Sequence, residues 1–302
     1  MNGLEARRRS MGKIDMRLVS YNVQYCKGKD ERVDIDRIVG EVAEADVIAM
    51  QEVDRYWSRS GMTDQVHEIT KRLPEHYWVY GPGVDLDASA RDSEGRLENR
   101  RRQFGNLLLS RSPILASRNQ LLPKMAFYEQ LSIQRTMLDG IIACSGGAVR
   151  VASVHLAHSA APERLAQVKR LRELQAESGR DGGVLSGRHE NWSDAANSPP
   201  WPHYSILLGD FNMTPGEQAY AAMVGFDDPK YGRITEIDGY LDAWICSGGD
   251  PSTGHTKFED TGNRRIDYAF ISPGLADGLR SVWVDSDAQG SDHQPLWMEI
   301  HV

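Results

Sequence analysis

Asp210 and Asn212 stand two positions apart at the end of an apolar run, Leu207-Leu208-Gly209-Asp210-Phe211-Asn212-Met213-Thr214-Pro215. Side chains alternate along a strand, so a carboxylate and an amide at this spacing share one face. Strand ends are also where α/β proteins assemble sites. Other polar residues close apolar runs in the same way. They are Asn22 in SYNVQ, Glu52 in MQEVD, His155 in SVHLAH, Asp267 in RRIDYAF and the pair Asp292-His293 in SDHQPL. Singly, each has an ordinary structural use, since Asp and Asn at strand ends make turns. Together they are an inventory with a chemical logic.

That inventory holds carboxylates, amides and imidazoles, without a cysteine cluster or a zinc-like histidine spacing. Oxygen donors of this kind suit a hard cation, Mg²⁺ or Mn²⁺. A hard cation, a carboxylate able to take a proton from water, and two imidazoles to meet developing charge suit phosphoryl chemistry. The chain carries neither a G-x-S-x-G nucleophile elbow nor a G-x-x-x-x-G-K-[ST] loop.

The elements that must position these residues alternate between strand and helix patterns. Strands are expected at Met16 to Gln24, in DVIAMQEV, HYWVYGPG, FGNLLLSRSPI, YSILLGDFN, RIDYAFIS and HQPLWMEIHV. Two apolar runs around Ser145-Gly146-Gly147 read as a hairpin. Helices are expected at Val33 to Ala45 and in APERLAQVKRLRELQAESG, which has Pro near its start and Gly after its end. Residues 179–202, rich in Gly, Ser, Asn and Pro, read as a long loop, either a passive excursion or a lid.

The chain has 302 residues, enough for a deep core, and no apolar run near 18 residues, so no membrane insertion is expected. Its N-terminal arginines have no apolar stretch behind them; residues 1–15 read as a disordered tail, and the expected location is cytoplasmic. Three scattered cysteines fit a reducing compartment. With 35 basic and 43 acidic residues the net charge is −8, which weighs against a polynucleotide substrate.

The ordered set SYNVQ, QEVD, FGNLLLSRSPI, SVHLAH, LLGDFNMTP, RRIDYAFIS and SDHQPL resembles the endonuclease/exonuclease/phosphatase superfamily, over about Met16 to Val302. Pancreatic deoxyribonuclease, apurinic endonucleases, neutral sphingomyelinases and inositol polyphosphate 5-phosphatases belong to it. Within the superfamily the chain looks most like the compact bacterial metal-dependent hydrolases. The resemblance implies one catalytic domain over residues 16–302. Its fold would be a four-layer α/β/β/α sandwich, two mixed β-sheets packed face to face with helices outside. It implies Glu52 as principal metal ligand with Asn22 beside it, and Asp292 helping. Asp210 would deprotonate the attacking water, and Asn212 would hold that water or a phosphate oxygen. His155 and His293 would meet the scissile phosphate from two sides, with Asp267 fixing the tautomer of His293. Attack would be in line, without a covalent intermediate.

Substrate identity rests on thinner signals. Arg101 and Arg102, in the run Arg100-Arg101-Arg102, read as a phosphate clamp or as a solvated charge run. Arg135, in IQRTML, lies where many bacterial relatives have a similar arginine. Trp192 and Trp201 are candidates to stack on a leaving group. A small phosphodiester or phosphomonoester is the leading substrate class. A DNA or RNA nuclease is the alternative, and needs a basic groove that Arg100 to Arg102 with Arg264 and Arg265 would make. A membrane-facing lipid phosphodiesterase and a catalytically dead binding module follow. The sequence leaves the oligomeric state open.

Overall fold

Leu18 and Val19 are both fully buried, as are Ile48 and Ala49. Neighbours on a strand point to opposite faces, so these strands must be covered on both sides. The computed structural model, which describes residues 15–145, 147–195 and 199–302, shows how. One six-stranded sheet runs in the order Leu279–Val284, Leu296–His301, Asp15–Asn22, Val47–Arg55, Arg101–Ser110 and Tyr77–Asp87. The second runs Leu241–Asp242, Asp267–Ile271, Ser205–Asp210, Gly147–His155, Thr136–Cys144 and Ile114–Leu121. Each is mixed, with a parallel pair near its centre: Asp15–Asn22 beside Val47–Arg55, and Ser205–Asp210 beside Gly147–His155.

The inner faces meet through Leu18, Val47, Ala49 and Leu108 from one sheet and Leu138, Val151, Leu208 and Ala269 from the other. The outer face of the first sheet, with Val19, Ile48 and Met50, is covered by helices Ile35–Val42 and Gln65–Arg72. The outer face of the second, with Val154, Leu207 and Phe270, is covered by helices Ala161–Glu177 and Gln218–Val224. This is the four-layer α/β/β/α sandwich. Among the described residues, no helix is long and apolar enough to cross a membrane.

Local chemistry fixes the elements that carry the site. Asp34 caps the first helix by accepting from Arg37 N at 3.0 Å. Helix Ala161–Glu177 forms where its pattern predicts, but its buried side also carries Glu163, Arg164, Gln167 and Gln175. Gln167 Oε1 accepts from Ala157 N at 2.8 Å and its Nε2 donates to Pro123 O at 2.9 Å, so this polar stripe anchors the chain just beyond His155. Gly209 is needed because a Cβ there would meet Val154 O at 1.9 Å.

The long loop is tied down in part. Arg118 pairs with Asp181, donates to Gly183 O, and lies 4.4 Å above the Trp201 ring. Trp201 is therefore buried and has no face to offer a leaving group, whereas Trp192 is exposed. The three cysteines are free thiols. Residues 1–14, the bulk of the expected tail, lie outside the described residues, as do Gly146 of the hairpin turn and residues 196–198 of the loop.

Candidate active site

Glu52 is aimed by a bulge. The register between Val47–Arg55 and Arg101–Ser110 shifts between Met50 and Val53, and Glu52 takes φ 62°. A non-glycine residue there is strained, and bulges that re-aim one side chain gather at sites. Its carboxylate remains 23 % exposed, on a cavity wall, and accepts from Asn22 Nδ2 at 3.3 Å.

Asp210 ends its strand between His155 on one neighbouring strand and Asp267 on the other, so sheet register alone sets three site residues in a row. Asp210 and Asn212 meet for a different reason than strand alternation. The strand stops at Asp210, and Asn212 turns into the left-handed region at φ 50°. Its backbone N–H then donates to Asp210 Oδ1 at 2.9 Å and its Nδ2 to Asp210 Oδ2 at 3.1 Å. Nδ2 also donates to Leu156 O at 3.1 Å, so both amide protons of Asn212 brace protein groups rather than a substrate oxygen. Across the sheet interface, Asn22 Nδ2 donates to Asp210 Oδ2 at 2.9 Å. Burial, helped by the nearby Asp267 charge, raises the Asp210 carboxyl to about 6.

His293 Nδ1 donates to Asp267 Oδ2 at 2.8 Å, and Nε2 lies 3.8 Å from Asp210 Oδ2. Burial opposes the imidazolium, but the charges of Asp267 and Asp210 and the Nδ1 hydrogen bond outweigh it and raise His293 to about 9. Asp210, Asp267 and His293 lie close enough to surround a cation. The imidazolium itself already places a positive charge between the two carboxylates.

His155 is the opposite case. Arg135 Nη1 lies 2.9 Å from both ring nitrogens, and Nη2 donates to His158 Nδ1 at 2.9 Å. Burial first, then the Arg135 charge, push His155 well below the usual imidazole range, so the ring is neutral. Its Nε2 lies 3.5 Å from Asp210 Oδ2 and 3.8 Å from Glu52 Oε1. Those carboxylates favour the proton on Nε2, leaving Nδ1 to accept from Arg135.

Glu52, Arg135, His158, Asp210, Asn212 and His293 line a cavity of about 310 Å³, with Asn22, His155 and Asp267 buried behind them; the wall also carries Arg59, Lys257, Glu259 and Arg264, with Phe104, Ile133 and Ile266 as apolar surface. Arg59 is locked by two hydrogen bonds to the fully buried Asp54 and by the faces of Tyr25, Trp57 and Phe104 at 4.5, 4.9 and 5.1 Å. Sequence reading missed Arg59 and Lys257 because neither ends an apolar run; the hint for Arg59 was Ser58-Arg59-Ser60 just after QEVD. It also passed over His158, although that residue closes SVHLAH beside His155.

Asn22, Glu52, Arg135, His155, Asp210, Asn212, Asp267, Asp292 and His293 are thus joined through contacts. Arg101 and Arg102 are not on the cavity wall. Arg101 is half exposed and paired with Asp85, and Arg102 donates to Tyr56 O. Arg100 pairs with Glu98, which makes the run a solvated charge surface. Arg265 is buried against Asp242 and offers nothing to a groove. Asp292 departs from an open ligand too: its Oδ2 accepts from Gln24 Nε2 at 2.8 Å and from the Lys257 ammonium.

The donor set fits a hard divalent cation at Glu52. Glu52 presents an accessible carboxylate oxygen; the buried Asn22 turns its Nδ2 toward that carboxylate while its Oδ1 accepts from Gln24 N at 3.1 Å, so Asn22 would offer a cation the second lone pair of Oδ1, and oxygen donors of this kind suit Mg²⁺ or Mn²⁺.

The four-layer sandwich, with carboxylates and imidazoles gathered at the ends of its central strands, is the architecture of a known family. The pattern of the endonuclease/exonuclease/phosphatase family matches residues 19–293. The chain belongs to that family of phosphoester hydrolases. No curated protein matches it. Among solved structures it is similar to an endonuclease/exonuclease/phosphatase from Beutenbergia cavernae, at 21 % identity and TM-score 0.64, over 95 % of this chain and 72 % of that one. It is also similar to a family member from Bacteroides vulgatus, at 16 % identity and TM-score 0.64, over 96 % of this chain and 100 % of the other. The mannosyl-6-phosphatase of Bacteroides thetaiotaomicron aligns at 16 % identity and TM-score 0.57, over 94 % and 99 %.

Proposed function

We propose that this protein is a divalent-metal-dependent phosphoesterase that hydrolyses a small phosphodiester or phosphomonoester by in-line attack of water. The observation that carries this reading is the charge on the cavity wall. Arg59, Arg135, Lys257 and Arg264 face Glu52, Asp210 and Glu259, and His293 adds an imidazolium. The chain is acidic as a whole, yet four cationic side chains are gathered on this one wall; three of them are held in place by carboxylates, Arg59 by Asp54, Lys257 by Asp292 and Arg264 by Glu259, which fixes donors where an anionic substrate would enter. Its volume is at the low end for ligand sites, which favours a compact phosphoester. A structural neighbour named as a mannosyl-6-phosphatase is in keeping with a phosphomonoester.

A Mg²⁺ or Mn²⁺ ion held by Glu52 and Asn22 would polarise a phosphoryl oxygen. Asp210 takes the proton of the attacking water. Asn22 and Asn212 hold the Asp210 carboxylate at a fixed angle. The Nε2 proton of His155 and the imidazolium of His293 stabilise charge on the phosphoryl oxygens.

A pH profile separates these roles. The activity kcat/KM is expected to rise through about 6 as Asp210 loses its proton, and to fall through about 9 as His293 loses its own. A bound divalent ion would shift both limbs to lower pH. Asp267→Asn removes the carboxylate that retains the His293 proton, so the alkaline limb should move down by about 1 to 2 units. An unmoved alkaline limb would assign it to another group.

The substrate class is tested by paired assays with Mg²⁺ or Mn²⁺ and an EDTA control. Bis(p-nitrophenyl) phosphate and p-nitrophenyl phosphate form one arm, supercoiled plasmid and an abasic oligonucleotide the other. EDTA-sensitive turnover of the small esters with intact nucleic acid is the expected result. Efficient nicking or abasic cleavage would make the protein a nuclease instead.

A further inference from the structure

Lys257 is not an ordinary surface lysine. Its side chain is only 14 % exposed and lies on the cavity wall, with its ammonium on Asp292 Oδ2. The backbone holds it there from two sides. Lys257 N donates to Arg264 O at 3.0 Å, and Arg264 N returns to Lys257 O at 2.8 Å. A further bridge joins Lys257 to His293, and Gln294 N donates to Thr256 O at 2.7 Å. The same Asp292 oxygen also accepts from Gln24, whose backbone sits at φ 44° in the tight turn after Asn22. That oxygen therefore has two protein donors, one of them cationic.

We propose that Lys257 stands in for a second metal ion. Its ammonium neutralises Asp292, so the site takes up one divalent cation, at Glu52, and not two. This rests on the reading above that Glu52 and Asn22 hold a divalent ion. The physical argument is one of exclusion. A cation approaching Asp292 must either displace the pinned ammonium from Oδ2 or bind Oδ1, which Ser291 Oγ reaches at 3.4 Å, with the ammonium still on the other oxygen of the same carboxylate; like charges on one carboxylate in a part-buried site repel strongly. The lysine also keeps a fixed positive charge on the Asp292 side of the cavity, where it serves an anionic substrate whether or not metal is abundant.

The test counts ions and uses no substrate. Mn²⁺ is titrated into the purified full-length protein, with the free ion followed by electron paramagnetic resonance. The wild type is expected to bind one Mn²⁺. Lys257→Ala opens Asp292 and frees Gln24 to turn its amide oxygen inward, so this variant should bind two. The double variant Lys257→Ala/Asp292→Asn should return to one, and Lys257→Arg, which keeps the charge, should stay at one. Where Lys257→Ala does not fold by circular dichroism, Lys257→Met keeps the stem and replaces it. Two ions in the wild type, one in Lys257→Ala, or a second ion retained in the double variant would each overturn the proposal. Glu52→Gln is the separate control. If its single Mn²⁺ binds as in the wild type, the assignment to Glu52 fails, while the Lys257 series still reports on Asp292.

Discussion

Asp210→Asn is expected to lower kcat by about 10³-fold or more while KM changes little. The carboxylate lies where the row from the second sheet meets Asn22 from the first, and it accepts three hydrogen bonds, from Asn212 N, Asn212 Nδ2 and Asn22 Nδ2. All three donors serve to orient the side chain; none supplies proton affinity. Burial, with Asp267 close by, raises the carboxyl to about 6. That makes it a stronger base than a free aspartate, yet still ionised at neutral pH. The asparagine keeps the shape and cannot take the proton. The asparagine oxygen can accept from both Nδ2 donors, but its NH2 then faces the Asn212 N–H, so a modest loss of Tm is expected at pH 7, well short of that of a variant that breaks the packing. The measurement is steady-state kinetics on a chromogenic phosphoester together with Tm. A kcat within tenfold of wild type would remove Asp210 as the base. A collapsed Tm would make the loss structural.

How much of this was legible in the sequence depends on where each residue's information lies. Asn22, Glu52, His155, Asp210 and Asp267 lie at or near the ends of strands whose continuous apolar runs can be read directly, as strands covered on both faces show, so their convergence followed from the order of the runs. Their geometry did not. The bulge that turns Glu52 into the cavity is a register shift against Arg101–Ser110, whose paired residues Gly105 and Leu107 lie 52 and 57 positions from Val53 and Met50, so no local signal exists for it. Asp210 and Asn212 share a site through a left-handed turn rather than through strand period. Arg101 and Arg102 precede the right strand, but their guanidiniums go to Asp85 and to the Tyr56 carbonyl, partners set by the pairing with Tyr77–Asp87 and by the loop after Glu52. Arg59 and Lys257 were invisible for the converse reason: Arg59 sits in the short 3-10 turn Ser58–Ser60, held by Asp54 five residues before it, and Lys257 lies outside the strands and reaches the cavity through Asp292. The same holds for the polar stripe of helix Ala161–Glu177, where spacing gave the helix but not the strand ends its glutamines would serve.

Glu52→Gln is expected to raise the Mn²⁺ concentration needed for half-maximal activity by more than about 100-fold, beyond what loss of an outer-sphere partner causes. The glutamine preserves length and an oxygen acceptor for Asn22 Nδ2, so the change isolates the charge. Unchanged half-saturation would place the ion elsewhere. A second substitution tells ligand loss from damage to the fold. Glu52 is held at φ 62°, a conformation that costs a residue with a side chain about 1 to 2 kcal/mol and costs glycine little. Glu52→Gly therefore removes the ligand and relieves the strain together. It should be as inactive as Glu52→Gln, yet with a Tm equal to or above that of the wild type. A lowered Tm would mean that the bulge is held by contacts of the Glu52 side chain itself, and that its conformation is part of the packing of the sheet. A maintained or raised Tm with lost activity would mean that the surrounding strands impose the bulge, and that stability is given up there to point one carboxylate into the cavity.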